Sequence, residues 1–248
     1  MTRLPVHADS TGPTALVYSV QPMWVYHQVL ETGAYQARPQ LDKTSLIGDP
    51  SYCAQRIAYD WLCAQMQARG LPRPPAAEGP EVYPIWAYYQ WVGPACRRPD
   101  LRSSALKSWA AQERRVLLTL RVPREQMLLS DYDAWHFPLN YSYLAGPRVY
   151  DRFYRELKAR GQQQRFCTVP LPGPSDHEAV LDSWQAIFDL ARSRKLLGIK
   201  KAHQSIQATF WELRAEQVVE ARAFGAGERA VRLARPQVCN RGCRLSQP

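Results

Sequence analysis

"SIQATFWEL", Ser205 to Leu213, decides how the rest of the chain is read. Ile206, Thr209, Phe210 and Trp211 carry branched or aromatic side chains that suit a pleated surface, so the stretch predicts a strand. It also holds an amide, Gln207, and a carboxylate, Glu212. Side chains alternate along a regular strand, so these two have opposite parity and only one of them faces inward. A polar side chain buried beside Phe210 and Trp211 needs a hydrogen-bonding partner. Either residue can fill that role. Gln207 lies inside the strand, and Glu212 lies at its end, where it can turn into a cleft.

Outward from this strand, the chain alternates strands and helices without a regular βαβ repeat, which predicts an α+β fold. "ALVYSVQP" (Ala15 to Pro22) reads as a strand, followed by the helical spacing of "MWVYHQVLETG", with Gly33 as its stop. A second helix runs from Ser51 to Gly70, and the proline-rich "LPRPPAAEGPEVYP" after it is a loop. "IWAYYQW" (Ile85 to Trp91) and "RRVLLTLRVP" (Arg114 to Pro123) are strands, and Gln126 to Asn140 is a short strand or turn and then a loop. Helices are expected over Val149 to Arg160 and Asp176 to Ala191. After the opening stretch, "LRAEQVVE" reads as a turn and "ARAF" as a last short strand. The expected organisation is a leader over 1–14, a folded domain over 15–225 and a basic tail over 226–248.

The 248 residues are 46% hydrophobic, enough for a real core. Lys and Arg number 32 against 22 Asp and Glu, a net charge of +10 that suits nucleic acid, anionic membrane or an anionic small ligand. Arginines are spread along the chain rather than run together, unlike a nucleic-acid-binding tail. No apolar run is long enough to span a membrane, and "MTRLPVHADSTGPT" lacks the apolar core of a secretory signal. Cys53, Cys63, Cys96 and Cys167 are isolated, which suggests reduced, mostly buried thiols. "CNRGC" (Cys239, Cys243) has no second pair at zinc spacing.

The familiar phosphate-binding, dinucleotide, hydrolase-elbow and metalloprotease patterns are absent. "YPIWAYYQW" places five aromatic rings in nine residues, either as a buried sheet face or as a stacking floor for nicotinamide or adenine. Asp131, Asp133 and His136 in "LLSDYDAWHFPLN" match no standard metal spacing, and Asp before a turn caps backbone amides. Arg97, Arg98 and Arg102 surround a turn, where guanidinium forks fit phosphate oxygens or make a solvated basic loop. Glu216 and Glu220, four apart, read as a solvated face.

"YSVQPMWVYHQVLETGAYQA", "AYDWLCAQM", "YPIWAYYQW", "PDLR", "LLSDYDAWHFPLN" and "SIQATFWEL" occur in this order in a bacterial domain family that resembles the mono-ADP-ribosyltransferases. Some of its members look like effectors that ADP-ribosylate host ubiquitin on a threonine. The likeness covers about residues 16 to 224. It implies an ADP-ribosyltransferase-like fold of two small, mostly antiparallel sheets flanked by helices. It implies NAD as substrate without a metal, and a hydroxyl acceptor on a protein, with ubiquitin first. It also implies a soluble toxin or virulence effector delivered into the host cytosol by a specialised secretion system, or otherwise kept in the bacterial cytoplasm. The His-Tyr-Glu, Arg-Ser-Glu and Glu-x-Glu patterns are not legible in the chain. Gln207 falls where the catalytic acid stands by distance to the last strand, Glu212 by chemistry, and Glu220 is the next acid. Tyr18, Ser19 and Gln21 with Tyr88 and Tyr89 would form the NAD pocket, and Arg98 and Arg102 would meet the pyrophosphate. Two other functions fit the same composition: a transferase that modifies nucleic acid, favoured by the charge, and a basic binding module that has lost its acid.

Overall fold

The computed structural model describes residues 12–38, 50–74, 82–161, 170–171 and 173–236. In chain order the elements are β1 (Thr14–Pro22), α1 (Met23–Thr32), β2 (Ala34–Tyr35), α2 (Pro50–Ala68), β3 (Ile85–Gln90), α3 (Ser104–Gln112), β4 (Arg115–Pro123), β5 (Leu128–Asp131), α4 (His136–Leu139), α5 (Pro147–Ala159), α6 (Pro174–Ser183), α7 (Leu190–Leu196), β6 (Ile206–Phe210), β7 (Leu213–Arg214), β8 (Val218–Phe224) and β9 (Val231–Arg232). The class is α+β, with mostly antiparallel strand pairing, as the order of elements predicts. No helix among the described residues is long and apolar enough to cross a membrane.

The described residues fall into two compact units. The first takes the chain up to Gln36, Asp100–Arg124 and everything from Glu212. In it β4 lies between β1 and β8, antiparallel to both, and β9 extends β8. β1 alternates buried Ala15, Val17 and Ser19 with half-buried Leu16, Tyr18 and Val20, the pattern of a strand with one face on the core. It runs directly into α1, which buries Val25, Tyr26 and Val29 and lies against β1 and β4. Gly33, at φ 83°, closes that helix by donating its N–H to the Val29 carbonyl, a left-handed cap that a side chain would strain. The Tyr26 hydroxyl donates to the Ala234 carbonyl, which ties the segment after β9 to α1.

The second unit comprises Ala37–Pro99 and Glu125–Trp211, and its strands run β3–β6–β5. Its core joins α2 (Ala58, Leu62, Met66) to Trp135, Leu157, Trp184, Ile187 and Trp211. Trp61 meets Trp184 edge-on at 5.3 Å and stacks on Phe188 at 5.5 Å, geometries that aromatic pairs favour. Beside this core, Asp131 is fully buried. Its Oδ2 accepts from Gln204 Nε2 at 2.6 Å and Ser193 Oγ at 2.8 Å, and its Oδ1 accepts from the Ala134 amide at 3.0 Å. One carboxyl thereby joins β5, α7 and the segment just before β6.

Five stretches differ from the sequence expectation. The turn read over Leu213–Glu220 supplies β7 and the first three residues of β8, so Glu220 lies in a strand and not with Glu216 on a solvated turn, because Val218 to Glu220 pair with β4. The strand over Ser205–Leu213 ends at Phe210, because β6 pairs with β3 and β5 whereas Leu213–Arg214 pair with Ala34–Tyr35. The helix over Asp176–Ala191 is broken: α6 stops at Ser183, a 3₁₀ turn buries Trp184 and Ile187, and Asp189 starts α7 by accepting from the Ala191 and Arg192 amides. Ser103 caps α3, whose apolar spacing is too sparse to stand out in the sequence. The stretch from residue 226, read as a tail, supplies β9. Met1 to Thr11, Cys167, Cys239 and Cys243 lie outside the described residues.

Two substitutions test this packing. Asp131→Ala removes the acceptor that Gln204 Nε2, Ser193 Oγ and the Ala134 amide share and should destabilise the protein by about 3 kcal/mol or more, whereas Asp131→Asn should recover part of that. Gly93→Ala would set its Cβ 1.9 Å from the Ala202 carbonyl oxygen at a φ of 65°, so it should destabilise strongly. Urea unfolding followed by circular dichroism reads both, and wild-type midpoints would show that neither site holds the fold.

Candidate functional site

The first unit's most informative row of side chains is set by β4. Val116 to Leu120 are buried on both faces of the strand, and Thr119 is the single polar residue among them. The register pairs Thr119 with Tyr18 on β1 and with Glu220 on β8. Residues directly opposite one another in antiparallel strands share a face. Tyr18, Thr119 and Glu220 therefore form one row, with Leu16, Val20, Arg121 and Arg222 on the same side. Ala15, Val17, Leu118, Leu120 and Val122 point to the other face and into the core. At the spacing of neighbouring strands, the row spans about 10 Å.

Each member has a different chemistry and a different degree of burial. Thr119 is 7% exposed, and its Oγ1 is buried without a hydrogen-bond partner among the described residues. An unsatisfied buried hydroxyl costs about 1–3 kcal/mol. The Glu220 side chain is 21% exposed, and its Oε1 lies 3.7 Å from Nε of Arg232, a side chain that is mostly in solvent. An ion pair at that distance and exposure is weak. Tyr18 is half-buried, with its ring on the same face. The row thus offers a carboxylate, a hydroxyl and a phenol. Thr119 and Arg232 were missed in the sequence. The available signal was a lone Thr inside "VLLTL", since a strand buried on both faces ordinarily reads as a continuous apolar run.

The other residues singled out in the first unit are tied up locally. Ser19 is fully buried on the face opposite Tyr18 and accepts from Gln21 Nε2 at 2.8 Å. Glu212 accepts from Arg214 Nε at 2.5 Å and from Gln36 Nε2 at 3.3 Å, with Arg214 also 3.8 Å from Glu216. Arg102 is gripped by both carboxyl oxygens of Asp100, each at 3.0 Å, and this fork holds the Asp100 carboxyl below its ordinary value.

In the second unit Gln207 is buried in the middle of β6 and donates to Ser130 Oγ at 3.1 Å. It stands opposite Tyr88 in register. The Tyr88 ring meets Trp91 at 4.6 Å and Tyr132 at 5.7 Å, and burial, with Tyr132 and Asp133 beside it, pushes the phenol well up. Trp86 packs on Trp135 at 4.9 Å, so this face of β3 is filled by its own aromatics. Tyr89 has the opposite parity and carries the Arg97 guanidinium 4.8 Å above its ring. Arg98 is half-buried just after the turn that follows β3. Asp131 caps Ala134, the local role that an Asp before a turn predicts. Among the described residues no group of three His, Cys, Asp or Glu is placed to hold a metal ion.

Burial, with Asp131 nearby, raises the Asp133 carboxyl above its ordinary value, partly offset by His136. The folded state therefore holds that proton more tightly than the unfolded chain. This contribution is lost as pH rises from about 3.9 through the raised value. Asp133→Asn should flatten that part of the stability profile and raise stability at neutral pH. Unfolding midpoints measured from pH 3.5 to 7 check this, and parallel profiles for the two proteins would contradict it.

No curated protein and no solved structure matches the chain. It belongs to the family described as a domain of unknown function, DUF3841, which matches residues 16–219.

Proposed function

We propose that the chain is a mono-ADP-ribosyltransferase that cleaves NAD and transfers ADP-ribose to a hydroxyl on a protein. The observation that carries this reading is the row Tyr18–Thr119–Glu220. In the reaction the bond between ribose C1′ and the nicotinamide nitrogen breaks, and its electron pair leaves with nicotinamide. The ribose then resembles an oxocarbenium ion, which a nearby carboxylate stabilises while accepting the 2′-hydroxyl hydrogen bond. The acceptor oxygen bonds to C1′ and gives up its proton to a base or to water.

Of the three candidates for the charge-stabilising role, Glu220 is best placed. Glu212 is held at short range by Arg214 and also by Gln36, and Gln207 is a neutral amide bonded to Ser130. Glu220 is a carboxylate that stands beside Thr119 in register, on the same face as Tyr18. Tyr18 adds a ring against which a sugar or base can pack. The sequence resemblance supplies the acceptor, a threonine of host ubiquitin, and with it the consequence, a block of ubiquitin-chain synthesis after delivery into the host cell.

Intact mass spectrometry of ubiquitin after incubation with the protein and NAD should show one added ADP-ribose. Glu220→Gln should lower the transfer rate by about 10²–10³, the usual cost of losing a charge-stabilising group. Arg232→Ala should leave it near normal, and transfer should persist in EDTA. Unmodified ubiquitin would remove the acceptor, and near-normal transfer by a folded Glu220→Gln variant would remove the site. Loss of NAD cleavage in EDTA, restored by a divalent ion, would remove the metal-free chemistry.

A further inference from the structure

Between Asp189 and Glu212 the second unit has no acidic residue, yet this stretch carries Arg192, Arg194, Lys195, Lys200, Lys201 and His203. Arg192, Lys195, Lys200, Lys201 and His203 are exposed, and none of the six forms an ion pair with a described residue. Two features fix this surface in place. The Ala202 backbone rests directly on Gly93, whose amide donates to the Gln204 carbonyl at 3.0 Å. Ser193 and Gln204 are both anchored on the buried Asp131. At the other end, a cavity of about 370 Å³ opens between Gly146, Pro147, Arg192, Lys195 and Leu196. Asp189 also lines it, but one of its carboxyl oxygens is engaged by the Ala191 and Arg192 amides.

We infer that this rigid basic face binds the phosphodiester backbone of a nucleic acid, with one sugar-phosphate unit seated in the cavity by Arg192 and Lys195. The transferase reading is not needed for this assignment. Cations spaced along a fixed surface, with no acidic residue between Asp189 and Glu212 in the chain, match a ligand that repeats one negative charge per nucleotide, and each phosphate they neutralise releases counterions. The cavity is much larger than a single carboxylate requires, which favours a sugar-phosphate over an acidic side chain.

The test is fluorescence anisotropy of the full chain with a labelled single-stranded oligonucleotide over a salt series. Neutralising Arg192, Lys195, Lys200 and Lys201 to Gln should weaken binding at least about tenfold. The slope of log affinity against log salt should fall by roughly 0.7 for each phosphate that is no longer neutralised. Arg192→Gln with Lys195→Gln should weaken binding more than the charge-matched control Lys107→Gln with Arg229→Gln. Circular dichroism confirms that all variants are folded. Equal binding by the quadruple variant and the wild type, or equal weakening in the two double variants, would overturn the assignment. So would displacement of the oligonucleotide by poly-glutamate at matched charge, which would give the face to an acidic protein. Glu220→Gln should leave binding unchanged, so failure here and failure of the transferase reading are separate results.

Discussion

The first unit depends on a strand that has no solvent side. β4 is hydrogen-bonded to β1 along one edge and to β8 along the other, and Val116 to Leu120 are buried above and below. A strand so placed fixes the register of both neighbours, since a slip of one residue would turn the buried set of β1 or β8 outward. The nine paired positions of β1 and β4 leave little freedom for such a slip. What shares a face with Thr119 is thereby determined: Tyr18 on one side and Glu220 on the other. The chemistry of the row is a consequence of register before it is a property of any one residue.

The second unit achieves rigidity by a different device. Its strands are short, and β6 is buried along its whole length, including two polar positions, Gln207 and Thr209. Those side chains are satisfied within the unit, Gln207 against Ser130 and Thr209 against the Leu128 carbonyl. Asp131 gathers donors from three separate segments. A buried carboxyl of this kind is costly unless its oxygens find donors, and here both are engaged. The same arrangement holds α7 and the segment just before β6 in fixed positions, so the basic residues between them are displayed on a firm support.

Much of this was legible in the sequence where periodicity was strong. The strands around Val17, Ala87 and Leu118 and the helices over α1, α2 and α5 follow from alternation or helical spacing bounded by Gly and Pro. The break at Trp184 was not legible, because apolar residues continue through it and only tertiary burial of Trp184 and Ile187 forces the tighter turn. The end of β6 at Phe210 was hidden for a related reason. Trp211 extends the apolar run but leaves the strand, and its indole N–H donates to the Leu71 carbonyl. Parity sets Gln207 against Glu212 only along one continuous strand, and Glu212 lies beyond the end of β6. The row itself was out of reach, since pairing partners one hundred residues apart leave no local signature.

Thr119 is the position where packing logic and the observed residue disagree. Val has nearly the shape of Thr, suits a strand equally well and would carry no hydroxyl into a buried site. Stability alone would therefore favour Val, by roughly the cost of one unsatisfied buried hydroxyl. Glu220, beside it in register, is a half-buried carboxylate whose ion pair with Arg232 spans 3.7 Å. Glu212, by contrast, sits in a close, well-directed pair with Arg214 and gives up a strong bond if it turns elsewhere. Local departures from the most stable choice concentrate where a protein must bind or react. One such departure, Thr119, stands in register beside Glu220 on one face of β4 and β8, and that juxtaposition is what favours the row in the proposed transferase reading.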